Sequence, residues 1–250
     1  MNPFQRHGID HLSASSLNTY SENPSFWCLR YLYNYREEGN PAMWRGSAVE
    51  AGLDLWLFKR SLDDANKAAL NHFDQNGVMV DPNTGEINKE MDKERNAILP
   101  MLLNAVNLLE EEDAPDARQL KFEYWFDGIE IPLIGYIDYV WPKKVCDLKT
   151  THRMPSEISG NHSRQISLYS AVKERPGELL YVTSKKAEIK PITDVDRHVR
   201  LLGRYAHSIR ALLSLSNDKH DAASVFAPDF DHYYFRRDEA KIAAQKIWAA

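Results

Sequence analysis

The segment Ile137–Thr150, IDYVWPKKVCDLKT, carries two aspartates on what the sequence predicts to be two strands joined by a tight turn. Trp141-Pro-Lys-Lys144 suits a type I turn with proline second, where the fixed φ of proline is already correct. That turn sets a register in which Asp138 lies opposite Asp147. Opposed side chains of an antiparallel pair are about 4.5–5.5 Å apart, so two like charges there repel. A divalent cation is the most economical compensation, and Mg²⁺ commonly takes one or two carboxylates.

The residues that follow Asp147 add to this chemistry. Lys149 shares the side of the strand on which Asp147 lies, because side chains alternate with a period of two. Its ammonium could position a metal-bound water or stabilise the charge that develops on a phosphate, and the backbone carbonyl of Leu148 could supply another oxygen ligand. The alternative is that both aspartates are solvated or form ordinary ion pairs with Lys143, Lys144 and Lys149.

Three further patterns favour a site over a solvated surface. Gln165 and Tyr169 are four residues apart and therefore share one face of the predicted helix that follows the strand. Glu50 lies at the edge of the buried stripe of another predicted helix, and could complete a set of three carboxylates. A later helix repeats arginine on one face, at Arg197, Arg200 and Arg204. Each pattern alone also fits an ordinary solvated helix, but basic clusters in a chain of net negative charge suggest phosphate contacts.

The order of elements predicts one mixed α/β domain. The first half is mainly helical, with helices predicted near 13–20, from Pro24, and over 46–59, 61–76 and 89–112, the last kinked or broken at Pro100. A turn-rich stretch at 81–89 separates the last two. From Leu120 the chain becomes aromatic and β-branched, which predicts a three-strand meander with a turn at Asp127-Gly128. A helix over 161–174, a strand at ELLYVTSK and a helix over 194–215 complete the pattern.

Composition limits the class of protein. The chain has 250 residues, 43% hydrophobic and 27% charged, as in globular domains. Its net charge of −5 means that a nucleic acid must be held by a local basic surface. No run of about 18 apolar residues is present to span a membrane and the first residues lack the apolar core of a signal peptide, so we expect no membrane association and a cytoplasmic location. Cys28 and Cys146 are too few for a disulfide framework and are expected to be small buried hydrophobes.

The ordered motifs Gly135-Tyr-Ile-Asp138, Asp147-Leu-Lys149 and Gln165-x-x-x-Tyr169 resemble the PD-(D/E)xK nuclease superfamily. The resemblance is to the branch that contains RecB-type nuclease domains, CRISPR-adaptation nucleases and phage or mitochondrial single-domain exonucleases. LSASSLNTYSENPSFWCLRY and MWRGSAVEAGL also look like the N-terminal segments of that branch. The resemblance implies a restriction-endonuclease-like core, in which helices flank a central mixed sheet of about four to five strands. One domain over 1–250 is expected, divided into a helical part (about 12–115), a catalytic sheet core (about 118–215) and a C-terminal extension (about 216–250).

The resemblance also implies roles for particular residues. Asp138 and Asp147 correspond to metal ligands, Lys149 to the catalytic lysine, and Gln165 and Tyr169 to helix residues that hold DNA near the scissile phosphate. Further expected DNA contacts are Ser13, Ser15, Arg45, Thr150, Arg197, Arg200 and Arg204.

Two positions depart from the pattern of this branch. Glu50 stands where the branch usually carries the histidine of G-x-x-x-H; a carboxylate there favours Mg²⁺ and could help to retain a second ion, with Mn²⁺ as a substitute. Some relatives hold an iron-sulfur cluster with four cysteines. Cys28 lies near the first of those positions, but the other three are missing, so no cluster is expected.

The residues and the resemblance together predict a Mg²⁺-dependent DNA exonuclease. It is expected to act on single strands or duplex ends in recombination, repair or DNA turnover. A phage-type enzyme in a bacterial or phage-infected cell fits the compact chain, with a single-strand annealing or binding protein as its expected partner. A structure-specific endonuclease on the same core and a catalytically silent DNA-binding or scaffold protein are the alternatives. A glycosidase that uses two carboxylates fits less well, because the adjacent lysine would have no role.

Overall fold

The computed structural model describes residues 1–77 and 88–248, in which a five-stranded sheet lies between two groups of helices. Its strands are β1 Ala117–Tyr124, β2 Leu133–Trp141, β3 Lys144–Thr150, β4 Gly177–Val182 and β5 Ala187–Pro191. They lie in the order β1-β2-β3-β4-β5, and all neighbours are antiparallel except the parallel pair β3 and β4. The predicted mixed sheet is confirmed, although the sequence patterns did not locate β5.

Seven helices lie where the patterns predict them, and three short helices, at the two ends of the chain, were not predicted. They are α1 Pro3–Arg6, α2 Ala14–Glu22, α3 Pro24–Trp27, α4 Pro41–Lys59, α5 Leu62–Asp74, α6 Lys89–Leu108, α7 Gly160–Lys173, α8 Val195–Leu213, α9 Lys219–Ser224 and α10 Asp238–Trp248. A π-helical turn, Cys28–Leu32, extends α3, and a 3-10 turn, Tyr233–Phe235, precedes α10. Within the described ranges, no helix combines the length and apolar character needed to cross a membrane.

Two local predictions need correction, and a third lies almost wholly outside the described residues. Helix α4 begins at Pro41 rather than at Gly46, because the side chain of Asn40 accepts the N–H of Met43 and proline occupies the first turn. Helix α6 does not end at Pro100, which lies inside it. The turn-rich stretch predicted at 81–89 lies outside the described residues as far as residue 87.

The turn between β1 and β2 is longer than a two-residue hairpin. Gly128 has a φ of +70° in the turn at Asp127-Gly128, which suits glycine because it lacks a Cβ. The ladder, however, closes only where Tyr124 pairs with Leu133. The turn is therefore correctly predicted in position, but it forms the tip of a longer connection.

Side chains on the two faces of the sheet enter two separate cores. One core joins the sheet to α2, α3, α7 and α8 and includes Val145 and Leu179, while the other joins it to α4, α5 and α6 and includes Cys146, Leu148 and Leu180. Asp147 therefore emerges from β3 on the same face as Val145, which is covered by α7.

Both cysteines are buried, as predicted, and they lie in different cores. Burial raises the pKa of the Cys28 thiol to about 12, so this side chain is a neutral thiol at physiological pH. The C-terminal extension shares the core of Cys28, because the Phe26 ring stacks on Tyr234 with ring centres 4.7 Å apart and meets Phe235 edge-on.

Candidate active site

The β2–β3 hairpin has the predicted register. Trp141 pairs with Lys144, Val140 with Val145 and Tyr139 with Cys146, where the ladder ends, and Asp138 and Asp147 are the next residues beyond that last pair. Beyond the ladder, a side chain joins the two strands in place of a backbone hydrogen bond: the Oδ2 of Asp138 accepts the N–H of Leu148 at 2.9 Å. The hairpin thus fixes Asp138 against β3 through both the strand register and its carboxylate.

Asp147 is the most deeply buried carboxylate of this site, with an exposed fraction of 1%. Its Oδ2 lies 2.6 Å from the Nζ of Lys149, which forms an ion pair with it. Neither oxygen accepts an aligned hydrogen bond from the described residues. A buried carboxylate usually has several such bonds, so Asp147 retains unused capacity to bind a positively charged or hydrogen-bonding ligand.

The charges of these groups act on one another. Burial raises the pKa of Asp138, and the charges of Asp147 and Glu50 raise it further. Burial alone would lower the pKa of Lys149, but the charges of Asp147 and Asp138 outweigh burial and raise it. The site therefore contains excess negative charge around a lysine that stays protonated.

Helix α4 brings Glu50 to the same site. The helix buries its predicted stripe, and Gly52 allows close packing, since a Cβ there would lie 2.7 Å from Leu102 on α6. Burial raises the pKa of Glu50 most, and the negative charge of Asp54 raises it further. The Oε1 of Glu50 accepts a hydrogen bond from the Nε2 of Gln119, which also donates to the Oδ1 of Asp138 at 3.2 Å.

Helix α7 crosses the face of β3 and carries the predicted pair. The Nε2 of Gln165 donates to the hydroxyl of Tyr169 at 2.7 Å, which shows that the two side chains share one face. His162 lies on that face as well, with its Nδ1 2.6 Å from the hydroxyl of Tyr181, the β4 residue that pairs with Lys149. Burial and the charge of Lys149 lower the pKa of His162. His162 was not predicted from the sequence. Its position three residues before Gln165 and seven before Tyr169 was the available signal.

A groove of about 460 Å³ begins at Asp138 and collects several predicted DNA contacts. Ser13, whose side chain caps α2, lies in it with Ser15, and the two hydroxyl oxygens are 2.9 Å apart. The predicted pair Gln165 and Tyr169 also lines the groove, together with His11, Lys121 and Tyr136, which were not predicted from the sequence. Lys121 and Tyr136 are paired across β1 and β2, and Tyr136 is 51% exposed. Its position two residues before Asp138 was the available signal.

Arg45, expected as a DNA contact, is buried and forms an ion pair instead, and Thr150, also expected as a DNA contact, is half-buried beside it. Arg45 is only 4% exposed and forms an ion pair with Glu94, which is 3% exposed. The Nη2 of Arg45 also donates to the carbonyl of Thr150 at 3.3 Å, and His152 lies 2.8 Å from Glu94. Burial raises the pKa of Glu94, but the hydrogen bond from His152 and the charge of Arg45 outweigh burial and lower it. Arg45 therefore points inward, because its guanidinium pairs with the buried carboxylate of Glu94.

The basic face predicted on α8 is exposed. Arg197, Arg200 and Arg204 are all accessible to solvent, and none of them forms an ion pair within the described part of the chain. They do not line the groove that begins at Asp138. Because α8 packs against α7 and α2, these arginines form a separate surface beside the site.

The carboxylates are not assembled as a group of three. Among residues 1–77 and 88–248, no three His, Cys, Asp or Glu side chains are grouped so that they could hold one metal ion. Glu50 and Asp138 share the amide of Gln119, Asp138 also accepts the N–H of Leu148, and Asp147 forms an ion pair with Lys149. Asp138 and Asp147 nevertheless fit a hard cation, because one is destabilised by like charge and the other has both oxygens without aligned donors.

The family of the chain follows from comparison with known proteins. The sequence model of the PD-(D/E)XK nuclease superfamily matches residues 11–239. This chain therefore belongs to the PD-(D/E)XK nuclease superfamily, which implies nuclease activity on DNA and the divalent metal ions that such enzymes typically use.

Comparison of structures supports the same fold. A crystal structure of a protein named "Putative exonuclease" from Eubacterium rectale is similar, with a TM-score of 0.53 and 13% identity over 92% of this chain and 88% of that one. A second solved structure, SSO0001, has 16% identity and a TM-score of 0.34, covers 72% of this chain and 82% of that one, and is too distant to support an argument. No curated protein matches the chain significantly.

Proposed function

We propose that the chain is a Mg²⁺-dependent DNA exonuclease that hydrolyses phosphodiester bonds from strand ends. The supporting observation is the buried Asp147, which faces the like charge of Asp138 and whose one partner among residues 1–77 and 88–248 is the ammonium of Lys149. In this proposal Asp138, Asp147 and the carbonyl of Leu148 hold the ion, Glu50 assists them, and Mn²⁺ can replace Mg²⁺. The bound ion would polarise the phosphate and lower the pKa of the attacking water.

Lys149 contributes charge in this proposal. Its ammonium is oriented by the ion pair with Asp147, 2.6 Å away, and by its position beside Tyr181 on β4. A fixed positive charge in a buried site stabilises negative charge that develops on a phosphate more strongly than it would in water. We therefore assign Lys149 to stabilisation of the transition state.

The groove offers a path for the DNA strand. Gln165 and Tyr169 are next to Asp138 in its lining, and Ser13 and Ser15 provide hydroxyl groups for a phosphate. Tyr136 offers an exposed ring on which a base could stack, and Lys121 lies directly across the strand pair from it. The arginines of α8 lie outside this groove and would contact phosphates of the strand beyond it.

We also propose that the chain acts on strand ends. Such action agrees with the exonuclease name of the similar structure from Eubacterium rectale. It would give the chain a role in recombination, repair or DNA turnover. A single-strand annealing or binding protein, which supplies or protects such ends, is the proposed protein partner.

Digestion of end-labelled DNA tests the proposal. Linear single-stranded and duplex DNA, together with closed circular single-stranded DNA, are incubated with Mg²⁺ and, separately, with a chelator. The proposal expects labelled mononucleotides or short products from linear DNA, no cleavage of circles, and no cleavage with chelator. Cleavage of the circles would indicate an endonuclease instead, and DNA binding without any cleavage would indicate a silent binding protein.

A further inference from the structure

Gln119 has an unusual backbone for a residue inside a strand. It lies within β1 at a φ of +45°, in the left-handed region that residues with a Cβ rarely adopt. The pairs on either side of it, Arg118 with Tyr139 and Leu120 with Ile137, belong to the ladder, and the same count puts Gln119 opposite Asp138. Strained backbone of this kind concentrates at functional sites, where the surroundings hold it in place.

The strained backbone directs the Gln119 side chain to two carboxylates. Its Nε2 donates to the Oε1 of Glu50 on α4 and, at 3.2 Å, to the Oδ1 of Asp138 on β2. These hydrogen bonds connect two carboxylates, Glu50 and Asp138, that are more than 80 positions apart in the chain. No other side chain of the described residues donates a hydrogen bond to both.

We infer that Gln119 is a positioning residue that holds Glu50 beside Asp138, an inference that rests on the proposed metal-dependent function. A neutral amide suits this position, because it satisfies one oxygen of each carboxylate without adding charge. A lysine or arginine would neutralise the negative potential that attracts a cation, and a glutamate would add repulsion. Partners that orient metal ligands typically contribute a factor of about 10–100 to metal affinity.

Two substitutions separate the amide from the backbone. Gln119→Ala removes the amide and keeps the strained φ, whereas Gln119→Gly removes the amide and relieves the strain, since glycine adopts a positive φ readily. Gln245→Ala, on the exposed surface of α10, is the matched control. For each protein, Mg²⁺ affinity is measured by calorimetry without DNA, and the Mg²⁺ concentration that gives half-maximal cleavage is measured with DNA.

Both Gln119 variants should bind Mg²⁺ about tenfold more weakly and need about tenfold more Mg²⁺ for half-maximal cleavage, while Gln245→Ala matches the wild type. The rate at saturating Mg²⁺ should fall less than the affinity does. Wild-type affinity in both variants would overturn the inference, as would wild-type affinity in Gln119→Gly alone, because the backbone would then be responsible. A wild-type protein that neither binds Mg²⁺ nor cuts DNA would overturn the proposed function itself, and this inference with it.

Discussion

Two clusters of charge meet at the end of β3, one around the buried Glu94 and one around the buried Asp147, and they differ in how their charges are satisfied. In the cluster around Glu94, the carboxylate is matched by Arg45 and His152, and Arg45 also reaches the carbonyl of Thr150. In the cluster around Asp147, two aspartates face each other with one lysine, and both oxygens of Asp147 have no aligned donor among the described residues.

The difference separates a structural role from a functional one. Forming a buried ion pair costs desolvation free energy, but its charges are neutralised and have no capacity left for a ligand. Removing one partner therefore mainly lowers the stability of the fold. Unmatched buried carboxylates destabilise the protein, and such groups are typical of sites that bind a ligand or act in catalysis. Thr150 follows Lys149 directly, so the structural cluster also anchors the end of the strand that carries the functional one.

The largest expected effect is on catalysis in the unmatched cluster. Lys149→Ala should reduce cleavage by at least about a thousandfold, because it removes the charge proposed to stabilise the transition state, while DNA affinity stays near that of the wild type. Lys149→Gln, which preserves a polar side chain, should lose as much. Gel-based cleavage and filter binding measure the two quantities, and Lys143→Ala on the turn is the control. Retained cleavage in Lys149→Ala would exclude Lys149 from the mechanism.

The matched cluster should show a large effect on stability. Glu94→Ala leaves the guanidinium of Arg45 buried without its carboxylate, so the free energy of unfolding should fall by about 3–5 kcal/mol. Arg95→Ala removes the partly exposed pair with Asp74 and should cost no more than about 1 kcal/mol. Chemical denaturation measures both. Equal losses in the two variants would show that burial does not distinguish the pairs.

DNA affinity tests the groove that leads from the unmatched cluster. Tyr136→Ala should weaken binding of single-stranded DNA by about 1–3 kcal/mol, the usual loss when a base loses an aromatic ring on which it stacks. Tyr233→Ala, which removes a ring that is 67% exposed on the C-terminal extension, should leave affinity unchanged. Fluorescence anisotropy with a short labelled strand measures the affinities. A greater loss in Tyr233→Ala would move the binding path to the extension.

The smallest effect concerns stability and pH in the absence of metal. The pKa of Asp138 is raised above its usual value of 3.8, so its ionised form destabilises the fold at neutral pH, and this cost disappears as pH falls toward 3.8. Asp138→Asn should therefore raise the melting temperature at about pH 7 by about 2–4 °C, as roughly 1 kcal/mol does in a chain of this size, and the gain should vanish near pH 4.

Scanning calorimetry in chelator measures this gain. Asp127→Asn, at the exposed tip of the β1–β2 connection, serves as the control and should leave the melting temperature at about pH 7 unchanged. A gain that grows as pH falls would mean that Asp138 is stabilised, rather than destabilised, by its surroundings.

The sequence predicted most reliably what short-range rules determine. The turn at Pro142 fixed the register of Asp138, and helical spacing brought Gln165 to Tyr169. These are consequences of local geometry. Contacts between residues that meet only through the tertiary fold were not predicted. Arg45 turned inward to Glu94, which is 49 residues away, and nothing in the sequence indicated that Gln119 adopts a positive φ and reaches Glu50.

Metal binding without DNA tests the central claim most directly. Metal-free protein is titrated with Mg²⁺ in a calorimeter, as the wild type, as Asp147→Asn and as Glu94→Gln, the matched change in the other cluster, at a temperature at which all three are folded. We expect saturable binding in the wild type and in Glu94→Gln, and its loss in Asp147→Asn. No saturable binding by the wild type, or undiminished binding by Asp147→Asn, would contradict the assignment of the apposed aspartates as a metal site.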